Sequence, residues 1–274
     1  MPVERGSMKK INNISIDQIS FNFPVNHGNG IETGKKVALK VIKFFSFEKI
    51  LGAGQELEYG LNGYTKSLKY GTETENVLIM WSAEQPQMGV MVIFYGSGKK
   101  LYEELARNCG IHIDWQKIIQ EVYLHFRGHI SRIDIAADLI NYGYSIHAID
   151  GKLNQGIYEF VNGKTKRKIE LDRITTFGDS GKVDTIYVGS RRSDSFLRLY
   201  NKRKEALNKH NSYYFQAQRV IDWIRIEAEF KHRTAQKIGE EITYLVAAPR
   251  FYPYLVSCIT NHWILVTNDD EKKK

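Results

Sequence analysis

The stretch ISRIDIAADL, residues 130–139, is where the hydrophobic pattern of the chain changes its period. Apolar and charged residues alternate along it, which is typical of a β-strand with one buried face. Arg132, Asp134 and Asp138 share one face, and isoleucine and alanine side chains occupy the other. The stretch therefore predicts a sheet with one apolar face and one charged face.

The segments that precede this strand include helices, and most segments that follow it are strands. Helical spacing of apolar residues predicts helices over residues 34–51, 99–110, 114–126, 234–247 and 252–265. Alternating patterns predict strands over residues 19–23, 75–82, 88–98, 167–178, 184–190, 195–202 and 219–232. Strands in hairpins with helices segregated between them predict an α+β fold, with a central antiparallel β-sheet and helices packed on one face.

The composition favours a polyanionic partner. Lysine and arginine outnumber aspartate and glutamate by 39 to 31, so the net charge is +8. This favours nucleic acid first and a membrane surface second. Two cysteines cannot make a disulfide framework or a four-ligand zinc site, and they fit a reducing compartment, so we expect a cytoplasmic protein. No apolar run approaches the roughly 20 residues of a membrane-spanning helix.

Two further strands repeat the charged face of residues 130–139. Their charged or tyrosyl residues on that face are Arg198, Tyr200, Lys202, Arg225, Glu227, Glu229 and Lys231. A solvated sheet with cross-strand ion pairs, each worth about 0.2–1 kcal/mol, is the simpler interpretation. Three strands that concentrate Asp, Glu, Arg and Tyr, with almost no Thr, Ser or Gln, favour an active surface instead.

The combination on this face suits attack on a phosphate. A free phenol has a pKa near 10 and is a poor nucleophile at neutral pH, and adjacent cations and a metal favour the phenolate. We expect carboxylates from two strands to hold Mg²⁺ or Mn²⁺, Arg198 and Lys202 to hold the phosphate, and Tyr200 to attack it. A phosphotyrosyl intermediate keeps the phosphodiester bond energy, so the strand can be rejoined.

At these residues the chain resembles the replication initiation factor family, also called Rep_trans. The segments that carry the resemblance are TIYVGSRRSDSFLRLYNK (185–202), ISRIDIAADL (130–139) and DWIRIEAEF (222–230), with weaker similarity in residues 60–71 and 88–104. The family comprises initiators of small rolling-circle plasmids and the related relaxases of conjugative elements. The first of these segments is specific, whereas the acidic strands alone would not be.

The resemblance implies a DNA nicking and joining enzyme. Tyr200 would nick one strand at a double-stranded plasmid origin, at a cruciform or single-stranded nick site. It would become attached to the 5′ phosphate and later rejoin the strand. Arg198, Lys202 and Arg225 would stabilise the phosphate. The resemblance also implies a homodimer and a partnership with a host helicase.

A Mg²⁺ or Mn²⁺ requirement is implied as well. The metal carboxylates correspond best to Asp134 and Glu227, with Asp138 third and Glu229 a weaker candidate. The family does not use the paired-histidine metal motif of other rolling-circle nickases, and this chain has no histidine pair of that form.

Basic residues outside the charged strands predict contacts to the DNA backbone. The predicted DNA-binding residues are Lys164, Lys166, Arg167, Lys168, Arg191 and Arg192. The first four occupy a predicted hairpin loop, for which a solvated turn is an equally good interpretation. Tyr187 is the main rival of Tyr200 as nucleophile, but Thr185 and Gly189 on its face predict a poorer electrostatic setting.

Three segments are predicted along the chain. Residues 1–7 are typical of a vector-derived remnant with the natural start near Met8. Residues 8–240 form the predicted nicking and joining domain, and residues 241–274 a C-terminal helical segment for DNA recognition or dimerisation.

Three other functions stay open. They are a relaxase that starts conjugative transfer, a DNA-binding module without catalysis, and a hydrolytic nuclease. A short chain without an additional N-terminal helix-turn-helix favours the plasmid initiator over the relaxase. Dependence on a divalent metal separates the enzyme from the binding module, and a covalent protein–DNA adduct separates it from the nuclease.

Overall fold

A computed structural model describes residues 9–27, 30–31, 33–209, 212–245 and 248–268. The predicted vector remnant and the predicted start at Met8 lie outside these described residues, as do residues 269–274. The vector remnant over residues 1–7 and the natural start near Met8 therefore stay predictions.

Helices separate groups of strands along the chain. The strands are β1 (Ile11–Phe23), β2 (Asn26–His27), β3 (Gly30–Ile31), β4 (Gln55–Leu57), β5 (Lys66–Gly71), β6 (Asn76–Trp81), β7 (Val90–Phe94), β8 (His129–Ile140), β9 (Tyr158–Val161), β10 (Ile174–Asp179), β11 (Lys182–Val188), β12 (Ser195–Asn201), β13 (Trp223–Lys231) and β14 (Ile264–Thr267). The helices are α1 (Gly34–Phe44), α2 (Phe47–Leu51), α3 (Gly96–Asn108), α4 (Trp115–Leu124), α5 (Ile146–Asn154), α6 (Lys202–Lys209), α7 (Tyr214–Gln218), α8 (His232–Thr243) and α9 (Phe251–Thr260). Single turns of 3₁₀ helix cover Pro86–Met88, Leu171–Arg173 and Ala248–Arg250. The large antiparallel sheet with its helices confirms the predicted α+β class.

The chain forms two compact units, and three long strands contribute residues to both. Among the described residues, those of the first unit lie within the ranges 9–15, 135–229 and 252–268, and those of the second lie within the ranges 16–134 and 230–251. Strands β1, β8 and β13 each run from one unit into the other. The hydrogen-bonded strand order is β10–β11–β12–β13–β8–β1 in the first unit and β13–β8–β1–β7–β6–β5–β4 in the second.

The second unit is held together largely by packed aromatic rings. Phe45 stacks on Phe47 with ring centroids 5.1 Å apart, and it lies 5.0 Å from Phe94 on β7. All three rings are buried. The predicted helix over residues 34–51 forms, but it is divided into α1 and α2 at Ser46, whose φ of 54° lies in the left-handed region.

The first unit contains the hairpin strands that carry the candidate nucleophiles. Strands β10, β11 and β12 pair antiparallel, and the register places Tyr187 opposite Arg198 and Thr185 opposite Tyr200. Residues directly opposite each other lie on the same face of a sheet. Both tyrosines and Arg198 therefore share one face, and the apolar residues between them share the other.

The strand predicted over residues 195–202 ends one residue early. The Asn201 side chain accepts a hydrogen bond of 2.9 Å from the Lys204 amide, which caps the first turn of α6. Lys202 is therefore the first residue of a helix. The alternating pattern had predicted instead that it continues the face of β12.

Two other predicted boundaries also differ. Strand β10 begins at Ile174, because Leu171–Arg173 directly before it forms a turn of 3₁₀ helix. The helix predicted over residues 252–265 ends at Thr260, and β14 pairs with β9 instead. Among the described residues, no helix has the length and apolar character required to cross a membrane.

Candidate active site

The Tyr200 ring lies at the centre of a charged cluster in the first unit. The Arg198 guanidinium lies 4.5 Å from its ring centroid, and the Lys202 ammonium lies 5.7 Å from it. The Tyr200 hydroxyl donates a hydrogen bond of 3.2 Å to Oε2 of Glu227 on β13. Only 7% of Tyr200 is exposed to solvent. The cluster therefore combines a phenol, a carboxylate that accepts a hydrogen bond from it, and two cations.

Arg198 is bound to the same carboxylate as Tyr200. Its Nη2 donates a hydrogen bond of 2.6 Å to Oε1 of Glu227. Burial alone would lower the pKa of the Arg198 guanidinium, but the adjacent Glu227 outweighs it and holds that pKa above its usual range. Arg198 thus provides a permanent positive charge beside the Tyr200 ring.

Tyr187 lies in a more cationic setting than predicted. Its hydroxyl accepts a hydrogen bond of 2.6 Å from Nη2 of Arg191, whose guanidinium also lies 4.9 Å from the Tyr187 ring centroid. The antiparallel register adds Arg198 directly opposite. The prediction of a poorer electrostatic setting was wrong, because it used only neighbours on the same strand. What distinguishes the two phenols is a carboxylate acceptor, which Tyr200 has in Glu227.

A cavity of about 360 Å³ opens beside these side chains. Its lining includes Tyr187, Arg198, Tyr200, Asp184, Lys204, Glu205 and Lys209. Lys204 donates a hydrogen bond of 2.5 Å to Asp184, which raises the pKa of its ammonium group. Burial alone would raise the pKa of the Glu205 carboxyl, but Lys202 and Lys209 outweigh it and lower that pKa. The cavity is thus bordered by both tyrosines and by charged groups from α6.

Lys202 is oriented towards helix residues and an aromatic ring. Its Nζ donates a hydrogen bond of 2.7 Å to Oε2 of Glu205, one turn along α6. The same ammonium lies 4.8 Å from the Tyr213 ring centroid, and the side chain is buried. Lys202 therefore lies on α6 and not on the strand face, where its ammonium pairs with Glu205, and its role as a phosphate ligand stays a prediction.

Arg225 and Asp138 form a buried ion pair. Nε and Nη2 of Arg225 donate to the two oxygens of Asp138 at 2.8 Å each, and Nε1 of Trp223 donates a third bond of 2.7 Å to Oδ1. Arg225 is 2% exposed and Asp138 is 5% exposed. The sequence predicts a phosphate role for Arg225 and a metal role for Asp138. Both roles stay predictions, and in this structure Arg225 donates to the two oxygens of Asp138 inside the protein.

The remaining predicted metal ligands belong to different units. In the second unit, Asp134 accepts two hydrogen bonds, of 2.8 and 2.7 Å, from Arg132 on the same strand. In the first unit, Glu227 is bonded to Arg198 and Tyr200, and Glu229 is half-buried. Within the described part of the chain, no three His, Cys, Asp or Glu side chains converge in a way that could hold a metal ion.

Comparison with known proteins decides the family. The Rep_trans family model, described as replication initiation factor, matches residues 128–274, more than half of the chain. This chain belongs to the replication initiation factor family. The matched range begins one residue before β8 and includes Tyr200 and Glu227.

One curated protein is similar to this chain in sequence, and one solved structure is similar to it in fold. The chain is 26% identical over 183 residues to a Bacillus subtilis (strain 168) protein named "Putative DNA relaxase NicK", an alignment that covers 66% of this chain and 48% of that relative. The chain therefore spans about half the length of this curated relative. Its fold is similar to that of the rolling circle replication initiator protein from Geobacillus stearothermophilus, with a TM-score of 0.68 and 18% identity over 96% of this chain and 91% of that one.

The predicted DNA-binding residues of this Rep_trans protein lie on exposed loops. Lys164, Lys166, Arg167 and Lys168 are exposed in the turn after β9, and Arg191 and Arg192 are exposed in the turn between β11 and β12. Lys168 is paired with Glu159 at 3.4 Å, whereas Arg191 folds back on Tyr187. The six residues are thus accessible but lie in two separate loops.

Sequence reasoning missed the residues that complete the surroundings of Tyr200. Asp184 on β11 and Lys204 on α6 border the cavity, and Tyr213 lies next to Lys202 and, at 5.3 Å, to Arg225. The basic pattern of KRKEALNK, directly after the tyrosine strand, was a signal that could have identified the helix. Nothing in the sequence pattern indicated Tyr213.

Proposed function

We propose that this chain initiates rolling-circle replication by nicking one strand of a double-stranded plasmid origin through Tyr200. The observation that carries the proposal is the hydrogen bond from the Tyr200 hydroxyl to Glu227, beside Arg198 and at the border of a cavity. A phenol with its own proton acceptor and an adjacent permanent cation is equipped for nucleophilic attack on phosphorus. Membership of the replication initiation factor family supports DNA as the substrate.

The chemical step follows from the positions of these side chains. Glu227 Oε2 accepts the phenolic proton as the Tyr200 oxygen forms a bond to the phosphorus of the scissile phosphate. The bond from phosphorus to the 3′ oxygen breaks, and that oxygen takes up a proton from water. Arg198 stabilises the negative charge that develops on the phosphate. The products are a free 3′ hydroxyl and a 5′-phosphotyrosyl adduct, and attack by a 3′ hydroxyl on the adduct rejoins the strand.

Family membership implies a divalent cation, Mg²⁺ or Mn²⁺. Such cations prefer carboxylate oxygens. Glu227 accepts hydrogen bonds from Arg198 and from Tyr200, so its carboxylate lies beside the candidate nucleophile, whereas Asp138 accepts a bidentate pair of bonds from Arg225 and a third bond from Trp223. We therefore assign Glu227 and not Asp138 to the cation, while the roles predicted for Asp134 and Glu229 stay proposals. When bound, the cation neutralises charge on the reacting phosphate.

The proposal is tested by trapping the adduct. Wild type, Tyr200→Phe and Tyr187→Phe are incubated with a hairpin oligonucleotide that carries the candidate origin, in Mn²⁺, Mg²⁺ or EDTA, and separated on denaturing gels. A 3′ label reports the covalent adduct and a 5′ label reports the released 3′ hydroxyl fragment. We expect the adduct in wild type and Tyr187→Phe with metal, and no adduct in Tyr200→Phe or in EDTA.

Each of the other outcomes indicates either a different nucleophile or a different function. An adduct that persists in Tyr200→Phe and vanishes in Tyr187→Phe assigns the nucleophile to Tyr187. Cleavage without an adduct in any variant indicates a hydrolytic nuclease. DNA binding that EDTA does not change, with no cleavage, indicates a binding module.

A relaxase that starts conjugative transfer is the second candidate, and the similarity to the Bacillus subtilis protein supports it. The chemistry at Tyr200 would be the same, and only the DNA site would differ. Competition between an oligonucleotide with a plasmid replication origin and one with an origin of transfer separates the two.

A homodimer, a host helicase partner and a cytoplasmic location are also part of the proposal. Light scattering measures the oligomeric state, and helicase loading on nicked plasmid tests the helicase partner.

A further inference from the structure

Aromatic side chains continue from the Tyr200 cluster to the last strand of the sheet in the first unit. Phe177 on β10 lies 4.8 Å from Tyr187 on β11, and Tyr187 lies 5.0 Å from Phe196 on β12, measured between ring centroids. The Arg191 guanidinium lies 4.9 Å from the Tyr187 centroid and 5.7 Å from that of Phe196. The face thus carries a row of three rings with a cation over two of them.

Phe177 is the ring of this row that is most open to solvent. It is 50% exposed, on a strand whose other residues are nearly all exposed. A β-bulge between Phe177 and Gly178 interrupts the pairing with β11, and bulges commonly re-aim side chains next to active sites. A side chain at position 178 would collide with the Lys182 carbonyl, so the bulge requires glycine. Burial in the core does not account for an aromatic ring held at this position.

The cavity beside Tyr200 includes Phe177 in its lining. The cations that border the same space are Arg198, Lys204 and Lys209, and the carboxylates are those of Asp184 and Glu205. The cations therefore exceed the carboxylates by one, which suits an anionic ligand. A volume of about 360 Å³ beside one exposed ring and several cations suits a nucleotide better than a purely apolar molecule.

We propose that Phe177 stacks on an unpaired base of the DNA strand next to the phosphate that Tyr200 attacks. This inference rests on the proposed function and adds a side chain that holds the base beside the reacting phosphate. Every base has a face that can stack on an aromatic ring, whereas a base inside a duplex already has neighbours on both faces. Phe177 is therefore a positioning residue for an unpaired base at the nick site.

The test is a binding measurement that requires neither an origin sequence nor cleavage. Fluorescence anisotropy in EDTA gives the Kd of labelled (dT)12 and of a 12-residue abasic strand with the same backbone. The variants are wild type, Phe177→Ala, Phe177→Trp and, as a matched control, Phe215→Ala, which removes a ring that is 72% exposed on α7. Thermal unfolding of each variant checks that the fold is retained.

We expect Phe177→Ala to weaken binding of (dT)12 by between about 5-fold and 150-fold, the range for one base stacked on an aromatic ring. Phe177→Trp and Phe215→Ala should bind within about twofold of wild type, and all variants should bind the abasic strand alike. Equal binding of (dT)12 by Phe177→Ala and wild type would overturn the proposal. So would an equal weakening on both strands, or no measurable binding of (dT)12 by wild type. A failure here leaves the adduct assay free to succeed, so the two results are independent.

Discussion

The hydroxyl of Tyr200 donates a hydrogen bond of 3.2 Å to one oxygen of Glu227, and Arg198 donates one of 2.6 Å to the other oxygen. A single carboxylate thus connects the candidate nucleophile to a cation that is never deprotonated at physiological pH. The sequence pattern predicts Glu227 only as a metal ligand. The geometry favours a second role, as the acceptor of the phenolic proton.

Glu227→Gln should slow adduct formation by about 100-fold to 10,000-fold, the usual contribution of a general base. Glutamine keeps the shape of the side chain but cannot take up the proton. The rate of the variant should therefore rise with pH, because hydroxide can replace the missing base. Single-turnover rates between pH 6 and pH 10 measure the effect.

Glu205→Gln is the matched control for this prediction, because Glu205 borders the same cavity but is bonded to lysines. It should form the adduct at close to the wild-type rate. A Glu227→Gln variant that is slow at every pH and recovers with more Mn²⁺ would contradict the base assignment and leave Glu227 as a metal ligand alone.

The sheet could be predicted from the sequence because the information that specifies it is local. Alternation of apolar and charged residues reports which residues share a face, and the structure confirms the strands around Arg132, Tyr200 and Glu227. The end of β12 depended instead on one side chain, since Asn201 caps α6 and removes Lys202 from the strand. A cap of this kind competes with continuation of the strand and is not visible in a hydrophobic pattern.

The partners across the sheet could not be predicted, because they depend on strand order and register. The pairing of Asp138 with Arg225 joins residues 87 positions apart. Both were predicted to face a substrate, since a charged residue on a strand is usually expected at the surface. Instead, Arg225 donates two hydrogen bonds to Asp138 and the Trp223 N–H donates a third. The two charges are therefore neutralised inside the protein, as a buried ion pair requires.

Asp138→Ala should lower the free energy of unfolding by about 3–5 kcal/mol, because it leaves the Arg225 charge buried without a partner. The Mn²⁺ concentration that gives half-maximal adduct formation should not change. Chemical denaturation and a metal titration measure the two quantities. The double variant Asp138→Leu with Arg225→Met should recover part of the stability. A stable Asp138→Ala protein that needs about ten times more Mn²⁺ would restore the metal role that the sequence suggested.

Two half-buried histidines predict a decrease of stability in acid. Burial lowers the pKa of His129, and burial together with Lys164 lowers that of His262 despite its hydrogen bond to the Cys258 carbonyl. The unfolded chain therefore takes up protons first as the pH falls below about 6.5, and stability decreases. Urea unfolding at pH 7.5 and pH 5.5 measures the difference. His129→Gln and His262→Gln should each reduce it, whereas the exposed His112→Gln should leave it unchanged; an unchanged difference in all three would refute the assignment.

The exposed loop after β9 should bind DNA phosphates without sequence preference. We would replace Lys164, Lys166 and Arg167 with alanine and leave Lys168, which is paired with Glu159. The slope of log K against log salt for duplex DNA should become shallower by about 0.9 for each phosphate that the loop variant no longer neutralises. The control variant replaces three exposed lysines at a distance in the sequence, Lys35, Lys43 and Lys49. Equal slopes for wild type, loop variant and control would show that the loop is a solvated turn, while a shallower slope only in the loop variant would assign it to the DNA interface.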